Sequence, residues 1–147
     1  MVKALYRICR LAPGLAIAAV LMSPTTVVAS VSSVQVTSAQ LVAKGVEVDV
    51  TVSFTCTAGD VLGNFGMGGI FVNVQQAVSK TQQASGFAGG GEGTICTGSP
   101  QMVVMQVIAD RTGPPFRIGP AVISATVIDQ TDSTSASSGY TTVRIKN

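Results

Sequence analysis

The residues with the most evident chemical potential in this sequence are two carboxylates, Glu47 and Asp49, which alternate along one stretch. On an extended strand they would share one face, with their side chains about 7 Å apart. Paired carboxylates perform acid–base catalysis when a buried setting raises the pKa of one member. The other side chains on that face, Thr51 and Ser53, are polar. We therefore predict a solvated pair that keeps a sheet soluble and has no catalytic role.

Composition excludes the common kinds of nucleophilic catalysis. The chain contains no His, and Ser-His-Asp catalysis, Cys-His catalysis and imidazole-dependent zinc sites all require one. The sequence also lacks the G-x-S-x-G motif that presents a nucleophilic Ser on a sharp turn. A Ser-Lys or carboxylate site would be the remaining route to an enzyme. We predict a protein that is not an enzyme, with no catalytic residues and no cofactor.

Two glycine clusters, at residues 63–69 and 86–93, raise the question of phosphate binding. A phosphate loop needs a helix N-terminus directly after it and usually a Lys that reaches the phosphates. Here a strand is predicted after the first cluster and a cysteine-containing turn after the second. Both clusters are therefore predicted to be flexible loops, with only a poor short strand near Gly86 as the alternative.

An oxygen-rich stretch at the predicted end of a strand contains Asp129, Asp132 and Ser133. Such a loop could hold Ca²⁺ weakly. Calcium takes six to eight oxygen ligands, and the neighbouring sequence offers few further candidates. We predict no metal site, although the sequence leaves open whether this loop binds an ion.

Residues 1–29 have the organisation of a secretory signal peptide. Lys3, Arg7 and Arg10 form a basic start, residues 11–22 are apolar, and small residues ending at Ala29 form a cleavage signal. The alternative is a membrane anchor, but a spanning helix needs about 20 apolar residues and this run is shorter. We expect cleavage before Ser30 and a secreted or cell-envelope protein with no membrane span after cleavage.

Removal of that segment changes the charge of the protein. The full chain carries 9 basic and 7 acidic residues, a net charge of +2, but 3 of the basic residues lie in the signal peptide. The mature chain would have a net charge of −1. It has no cluster of Lys or Arg, so nucleic acid is excluded as a partner.

Two cysteines remain in the mature chain, Cys56 and Cys96, and they are predicted to form a disulfide. An even pair in an exported protein is most simply a bridge. Redox-active thiols would normally show close spacing such as C-x-x-C, whereas these two residues are 40 positions apart.

The elements that must position these residues are strands, because hydrophobic residues recur with a period of two. Residues 46–56 are the clearest example, with Val46, four alternating apolar residues and Cys56 on one predicted inward face. Further strands are predicted at 34–42, 70–78, 102–109, 121–128 and 140–146. Gln76 interrupts the inward row of its strand, which indicates a bulge or an edge. Residues 79–93 and 131–139 are predicted to be loops.

The segment 102–109 is apolar on both faces, apart from Gln106. Such a run is typical of a central strand that is buried on both sides or protected at an interface. We therefore predict that a Lys at Val104 prevents folding, because its charge would be buried without a partner.

Six or seven short strands in the 118 residues 30–147, with no convincing helix, predict one all-β domain. The fold class expected is an antiparallel immunoglobulin-like sandwich of about seven strands with one disulfide. The chain has no Trp to pack on the bridge, and Phe54 or Phe71 is expected in that place.

Two short motifs carry a family resemblance: the sequence CTGSPQ at residues 96–101 and FRIGPA at 116–121. Together with the Val-rich strand that ends at Cys56, they resemble small secreted actinobacterial proteins of unknown function with a predicted immunoglobulin-like β-sandwich. The resemblance covers residues 46–128 and implies fold and export, but no catalytic residue. Many of those proteins carry a further cysteine pair near the C-terminus, which this chain lacks.

Three functions are compatible with such a protein. The first is a non-enzymatic binding module that presents loops at the end of a rigid sandwich, with a protein, glycan or small molecule as its ligand. The second is a small-molecule carrier with an apolar cleft between the sheets, lined by Phe65, Met67, Phe71 and Phe87. The third is a self-assembling surface subunit, favoured by the apolar segment 102–109. The sequence does not distinguish the ligand or the oligomeric state.

Overall fold

The computed structural model describes residues 31–63, 69–91, 93–129 and 134–147, and these residues form an all-β protein. A turn of 3-10 helix, Ala43–Gly45, connects the first two strands. The strands are β1 (Val31–Val42), β2 (Glu47–Cys56), β3 (Val61–Leu62), β4 (Gly69–Ala77), β5 (Gln83–Gly90), β6 (Thr94–Ile95), β7 (Gln101–Ala109), β8 (Gly119–Asp129), β9 (Thr134–Ser137) and β10 (Thr141–Lys146).

Seven strands form a closed barrel. They follow one another in the order β10-β1-β2-β7-β5-β4-β8, and the ring closes because β10 also pairs with β8. The neighbouring strands are antiparallel except β1 and β10, which are parallel. β9 extends the sheet beside β8, while β3 and β6 form a separate ribbon. The all-β prediction is confirmed.

The observed strand pairing differs from that of the predicted sandwich. A sandwich has two separate sheets, whereas here short joints connect the two sheets at both edges. β1 pairs with β10 over two residues of each strand, and β5 pairs with β7 over two residues of each strand. By contrast, β2 and β7 pair over eight residues without a shift in register. The barrel therefore consists of two broad runs, β1-β2-β7 and β5-β4-β8-β10, that meet at two narrow joints.

The core lies inside the barrel and is filled by the inward row of each strand. β2 and β8 alternate as their sequences predict, and these rows bury β-branched side chains that suit a pleated surface. Each buried Val contributes about 1.5–3 kcal/mol relative to an exposed one. The largest fully buried side chains are Phe54, Phe116, Leu62, Ile70, Ile123, Ile145, Val48, Val50, Val52, Val72, Val74 and Val107.

Two details of the predicted inward rows need correction. Val46 lies just before β2 and is 55% exposed, because the chain is still leaving the turn at Ala43–Gly45. Phe71 faces outward from β4, so it is Phe54 that fills the core. The β1–β2 ladder contains a register shift between Val36 and Ser38.

Two segments predicted as loops contain strands. β5 covers Gln83–Gly90, including much of the second glycine cluster, and pairs with β4 over eight residues. β9 lies in the predicted Ser/Thr loop and pairs with the end of β8. Tertiary pairing, and not the local sequence, makes these segments extended.

β7 lies between β2 and β5 in the sheet, but its outer face is open. Met102 is 75% exposed, Val104 56% and Ile108 59%, whereas Met105 and Val107 are buried. The prediction of a strand buried on both faces is therefore wrong. A Lys at Val104 would point into solvent, so the burial on which the folding prediction rested is absent.

The disulfide between Cys56 and Cys96 is confirmed. The S–S distance is 2.03 Å and the Cα atoms are 5.5 Å apart. Both cysteines are buried, and the bridge ties the end of β2 to the turn that leads into β7. A closed loop of 40 residues stabilises the fold by roughly 4 kcal/mol in the chain-entropy model.

Several sequence predictions fall on residues that lie outside the described ones. These are the signal peptide at 1–29 with Ser30, and Phe65, Met67, Asp132 and Ser133. Within the described ranges, there is no helix with the length and apolar character needed to cross a membrane.

Candidate functional site

A cleft lies on the surface between β5 and β7. In the part of the chain that the structure describes, these strands pair only through Gly86–Ala109 and Phe87–Ile108. Beyond that joint the two strands separate. A depression of 410 Å³ lies between residues 88–91, at the end of β5, and residues 103–106 of β7. Its volume lies within the roughly 300–1,000 Å³ of ligand-binding clefts.

The joint at the closed end of the cleft depends on Gly86. A Cβ at this position would lie 2.5 Å from the main-chain oxygen of Ile108. No other residue type allows β5 and β7 to approach this closely. Gly86 therefore permits the close approach of the two strands, and the cleft begins beyond this residue.

The cleft exposes one edge of the β7 backbone. The N–H of Ala109 donates to the carbonyl of Val46 at 2.8 Å, on the β2 side, while that of Asp110 donates to Ser85 at 2.8 Å, on the β5 side. In an antiparallel ladder without a register shift, alternate residues direct both their N–H and C=O groups to the same neighbour. The main-chain groups of Met102, Val104 and Gln106 therefore point into the cleft.

The floor of the cleft is apolar and uncharged. Val103 and Met105 of β7 belong to the inward row, and Ala88 and Gly90 of β5 face them. A Cβ on Gly90 would lie 3.5 Å from Cε of Met105, an ordinary contact. Side chains that enter the cleft would therefore contact small and apolar side chains.

Large apolar side chains lie around the cleft on the outer surface of the barrel. On the β7 side, Met102, Val104 and Ile108 are exposed. On the β5 side, the rings of Phe71 and Phe87 stack with centroids 6.1 Å apart, and Phe71 lies over Gly89, where a Cβ would be 3.2 Å from Cδ1 of the ring. We call these five side chains the apolar face. Exposed apolar side chains grouped in this way, here with the polar Gln106 between Val104 and Ile108, mark interaction sites.

The carboxylates Glu47 and Asp49 lie beside the apolar face. On the outer side of β2, Glu47 is opposite Ile108 and Asp49 is opposite Gln106. Both are half-buried, and Oδ1 of Asp49 is buried without a hydrogen-bond partner among the described residues. The two carboxylates thus form an acidic border to the cleft, and the structure does not bring them to a catalytic partner within the described ranges.

A buried glutamine fixes the loop that precedes β8. Gln76 is 3% exposed; its Nε2 donates to the carbonyl of Arg117 at 2.7 Å, and its Oε1 accepts from the N–H of Arg117 at 2.7 Å. The predicted bulge at Gln76 is absent, because its strand pairs with β5 without a shift in register. Instead, the Gln76 side chain forms the hydrogen bonds with Arg117, in the FRIGPA motif, that a neighbouring strand would otherwise form.

A second glutamine fixes the other motif. Oε1 of Gln101 accepts from the N–H of Thr97 at 2.9 Å, and its Nε2 donates to the carbonyl of Ile95 at 3.0 Å. The side chain therefore spans the turn between Cys96 and β7. The two motifs that carry the family resemblance are each held by one amide side chain, which is a structural role.

The remaining predicted site residues are not brought together into a site. Asp129 is buried at the end of β8, and its predicted partners Asp132 and Ser133 lie outside the described residues. No group of three or more Cys, Asp or Glu with metal-binding geometry occurs within the described ranges. Phe71 and Phe87 line the outer surface, whereas the carrier hypothesis needs them between the sheets.

Sequence reasoning missed the cleft. One available signal was the contrast between an apolar strand on both faces, 102–109, and a neighbouring stretch of small residues, 84–91, that cannot cover it. That these two segments are neighbours depends on a long-range pairing that no local pattern contains.

Comparisons with known proteins give no match: no protein-family model, curated protein or solved structure is significantly similar to this chain. Function must then be argued from the site itself. The site available for that purpose is the cleft with its apolar face and acidic border.

Proposed function

We propose that this protein is a secreted or cell-envelope binding module without enzymatic activity, and that it binds a protein partner through the apolar face. The observation that carries the proposal is the exposure of Met102, Val104 and Ile108 in one row, beside the stacked pair Phe71 and Phe87. Aromatic residues and Met are enriched in protein interfaces relative to the rest of the surface.

Export supports this proposal from the sequence. The predicted signal peptide at 1–29 would deliver the chain to an oxidising compartment, where a disulfide such as Cys56–Cys96 persists. The resemblance to small secreted actinobacterial proteins points in the same direction. We infer that the mature protein begins at Ser30.

We also infer that the barrel is a flattened immunoglobulin-like sandwich. Its two broad runs, β1-β2-β7 and β5-β4-β8-β10, would be the two sheets, and the parallel contact of β1 with β10 would be one joined edge. Domains of this architecture commonly serve as rigid supports for binding surfaces. Here the binding surface would be a sheet face and its edge, not the loops.

The experiment is native mass spectrometry of the protein isolated gently from its host, with two matched variants. Val104 and Val122 are both exposed valines on outer strand faces, and only Val104 belongs to the apolar face. We expect the wild type and Val122→Asp to carry a protein partner and Val104→Asp to lose it. A bare monomer, a bound small molecule or a ladder of homo-oligomers for the wild type would each contradict the proposal.

A further inference from the structure

We propose that the cleft between β5 and β7 accepts an extended segment of the partner as an added strand, with apolar side chains pointing inward and basic side chains pointing outward. This inference rests on the proposed function, because it specifies how the partner is bound. In addition to the apolar contact, the partner would form main-chain hydrogen bonds along the edge of β7.

The backbone of β7 identifies the occupant as a polypeptide. Met102, Val104 and Gln106 direct alternating N–H and C=O groups into the cleft, and β5 does not pair with them. An extended main chain presents the complementary groups with the same repeat, which is the basis of recognition by strand addition. A partner strand would therefore complete a ladder that is interrupted after Phe87–Ile108.

The floor of the cleft specifies the inward side chains. Val103 and Met105 are apolar, and a Cβ at Gly90 would make an ordinary contact with Cε of Met105. A buried polar or charged side chain would find no hydrogen-bonding side chain there and would be strongly unfavourable. Alternate residues of the partner are therefore apolar.

The surroundings of the cleft specify the outward side chains. Outward residues would lie between Val104 and the rings of Phe71 and Phe87. Lys and Arg suit this position, because their aliphatic stems cover apolar surface and their charged groups interact with aromatic rings. One strand further on, Glu47 and Asp49 form no ion pair within the described ranges, and they lie within about one Debye length, roughly 10 Å, of such a charge.

We take the occupant to be a segment of a separate molecule. β1 begins at Val31, so cleavage before Ser30 would leave one residue ahead of it. The C-terminal strand β10 is held between β1 and β8, with Ile145 buried.

The sequence of β10 provides a suitable probe, because its pattern matches the chemistry of the cleft. Residues 140–147 (YTTVRIKN) place Val143 and Ile145 on one face and Arg144 and Lys146 on the other. We would titrate the purified protein with this synthetic peptide and with a version carrying Arg144→Glu and Lys146→Glu. We expect saturable binding of the first peptide and at least a tenfold loss of affinity for the second.

Two variants locate the binding. Val104→Pro removes one N–H that points into the cleft and leaves the bonds to β2, a position where a strand tolerates Pro. Gly90→Val fills the floor, and Gly113→Val, which adds the same side chain in an exposed loop without a close contact, is its control. We expect at least a tenfold loss of peptide affinity for Val104→Pro and Gly90→Val, and none for Gly113→Val. If Val104→Pro does not fold, Gly90→Val alone decides.

Amide hydrogen exchange of the complex distinguishes strand addition from simple apolar contact. Peptide binding should slow exchange at Met102, Val104 and Gln106, since their N–H groups become paired. Protection at β1 and β8 would mean that the peptide displaces β10, and would overturn the inference. Binding without protection of β7, equal affinity for both peptides, or no binding would overturn it as well. The general binding proposal would still stand if Val104→Asp released the natural partner.

Discussion

The side-chain amide of Gln76 pairs with both main-chain groups of Arg117, 41 residues away in the sequence: it donates to the carbonyl and accepts from the N–H, each at 2.7 Å. The amide thus acts as one residue of an additional strand. It holds the loop before β8 against β4 at the point where the ladder between these strands ends.

Gln76→Met should therefore destabilise the protein while keeping its shape. The variant leaves two main-chain groups of Arg117 without these partners beside an apolar side chain, which costs about 1–3 kcal/mol in the free energy of unfolding. Gln75→Met, on the exposed face of the same strand, is the control and should change it by less than about 0.5 kcal/mol. Urea denaturation of both variants gives the comparison. Equal effects would show that the amide of Gln76 has no special role.

Removal of the disulfide should lower stability without abolishing the barrel's strand order. A Cys56→Ser, Cys96→Ser double variant should lose roughly 4 kcal/mol of unfolding free energy, since the denatured chain regains the freedom of a 40-residue loop. Denaturant unfolding under non-reducing conditions measures the difference. The unreduced wild type should contain no titratable thiol at these two positions; finding both free would contradict the bridge.

Lys substitutions on the two faces of β7 should have opposite effects on folding. Val104→Lys should fold, because this side chain is 56% exposed, whereas Val107→Lys should not, because Val107 is fully buried and its charge would lack a partner. Circular dichroism and thermal unfolding of the two variants test this contrast. If both variants unfold, the outer face of β7 is covered in the isolated protein.

Ala substitutions in β5 should affect stability differently at the joint and in the cleft. In Gly86→Ala the new Cβ would lie 2.5 Å from the main-chain oxygen of Ile108, so the strands must move apart at a cost of roughly 1–3 kcal/mol. In Gly90→Ala the Cβ makes an ordinary contact with Met105, so stability should hold or rise slightly. Thermal unfolding of both variants provides the measurement. A reversed order would place the close approach of β5 and β7 elsewhere.

Much of the fold could be predicted from the sequence, because period-two alternation encodes a strand with one buried face. β2 and β8 are of this kind, and the position of Cys56 in the inward row of β2 is consistent with the bridge to Cys96. The sequence indicates β5 only as a poor short strand near Gly86, since Gly and Ala provide almost no alternation in hydrophobicity. Its extended form depends on its pairing with β4.

The candidate site could not be predicted, because it depends on where two distant strands separate. An apolar run such as 102–109 indicates burial, yet burial of its outer row would require a neighbour that the chain does not supply. The role of Gln76 could not be predicted for the same reason. A polar residue in an inward row predicts a bulge, because the sequence does not show that the backbone of Arg117 lies beside it. Both features are long-range and leave no local pattern.

The central claim, that β7 has an open edge beside β5, is tested most directly by residue-resolved amide hydrogen exchange of the free protein. The N–H groups of Val103, Met105 and Val107 face β2, whereas those of Met102, Val104 and Gln106 face the cleft. We predict that the second group exchanges at least about tenfold faster than the first, in strict alternation along the strand. Equal protection of all six amides would show that β5 pairs with β7 along its length, and would contradict the open cleft and the binding mode built on it.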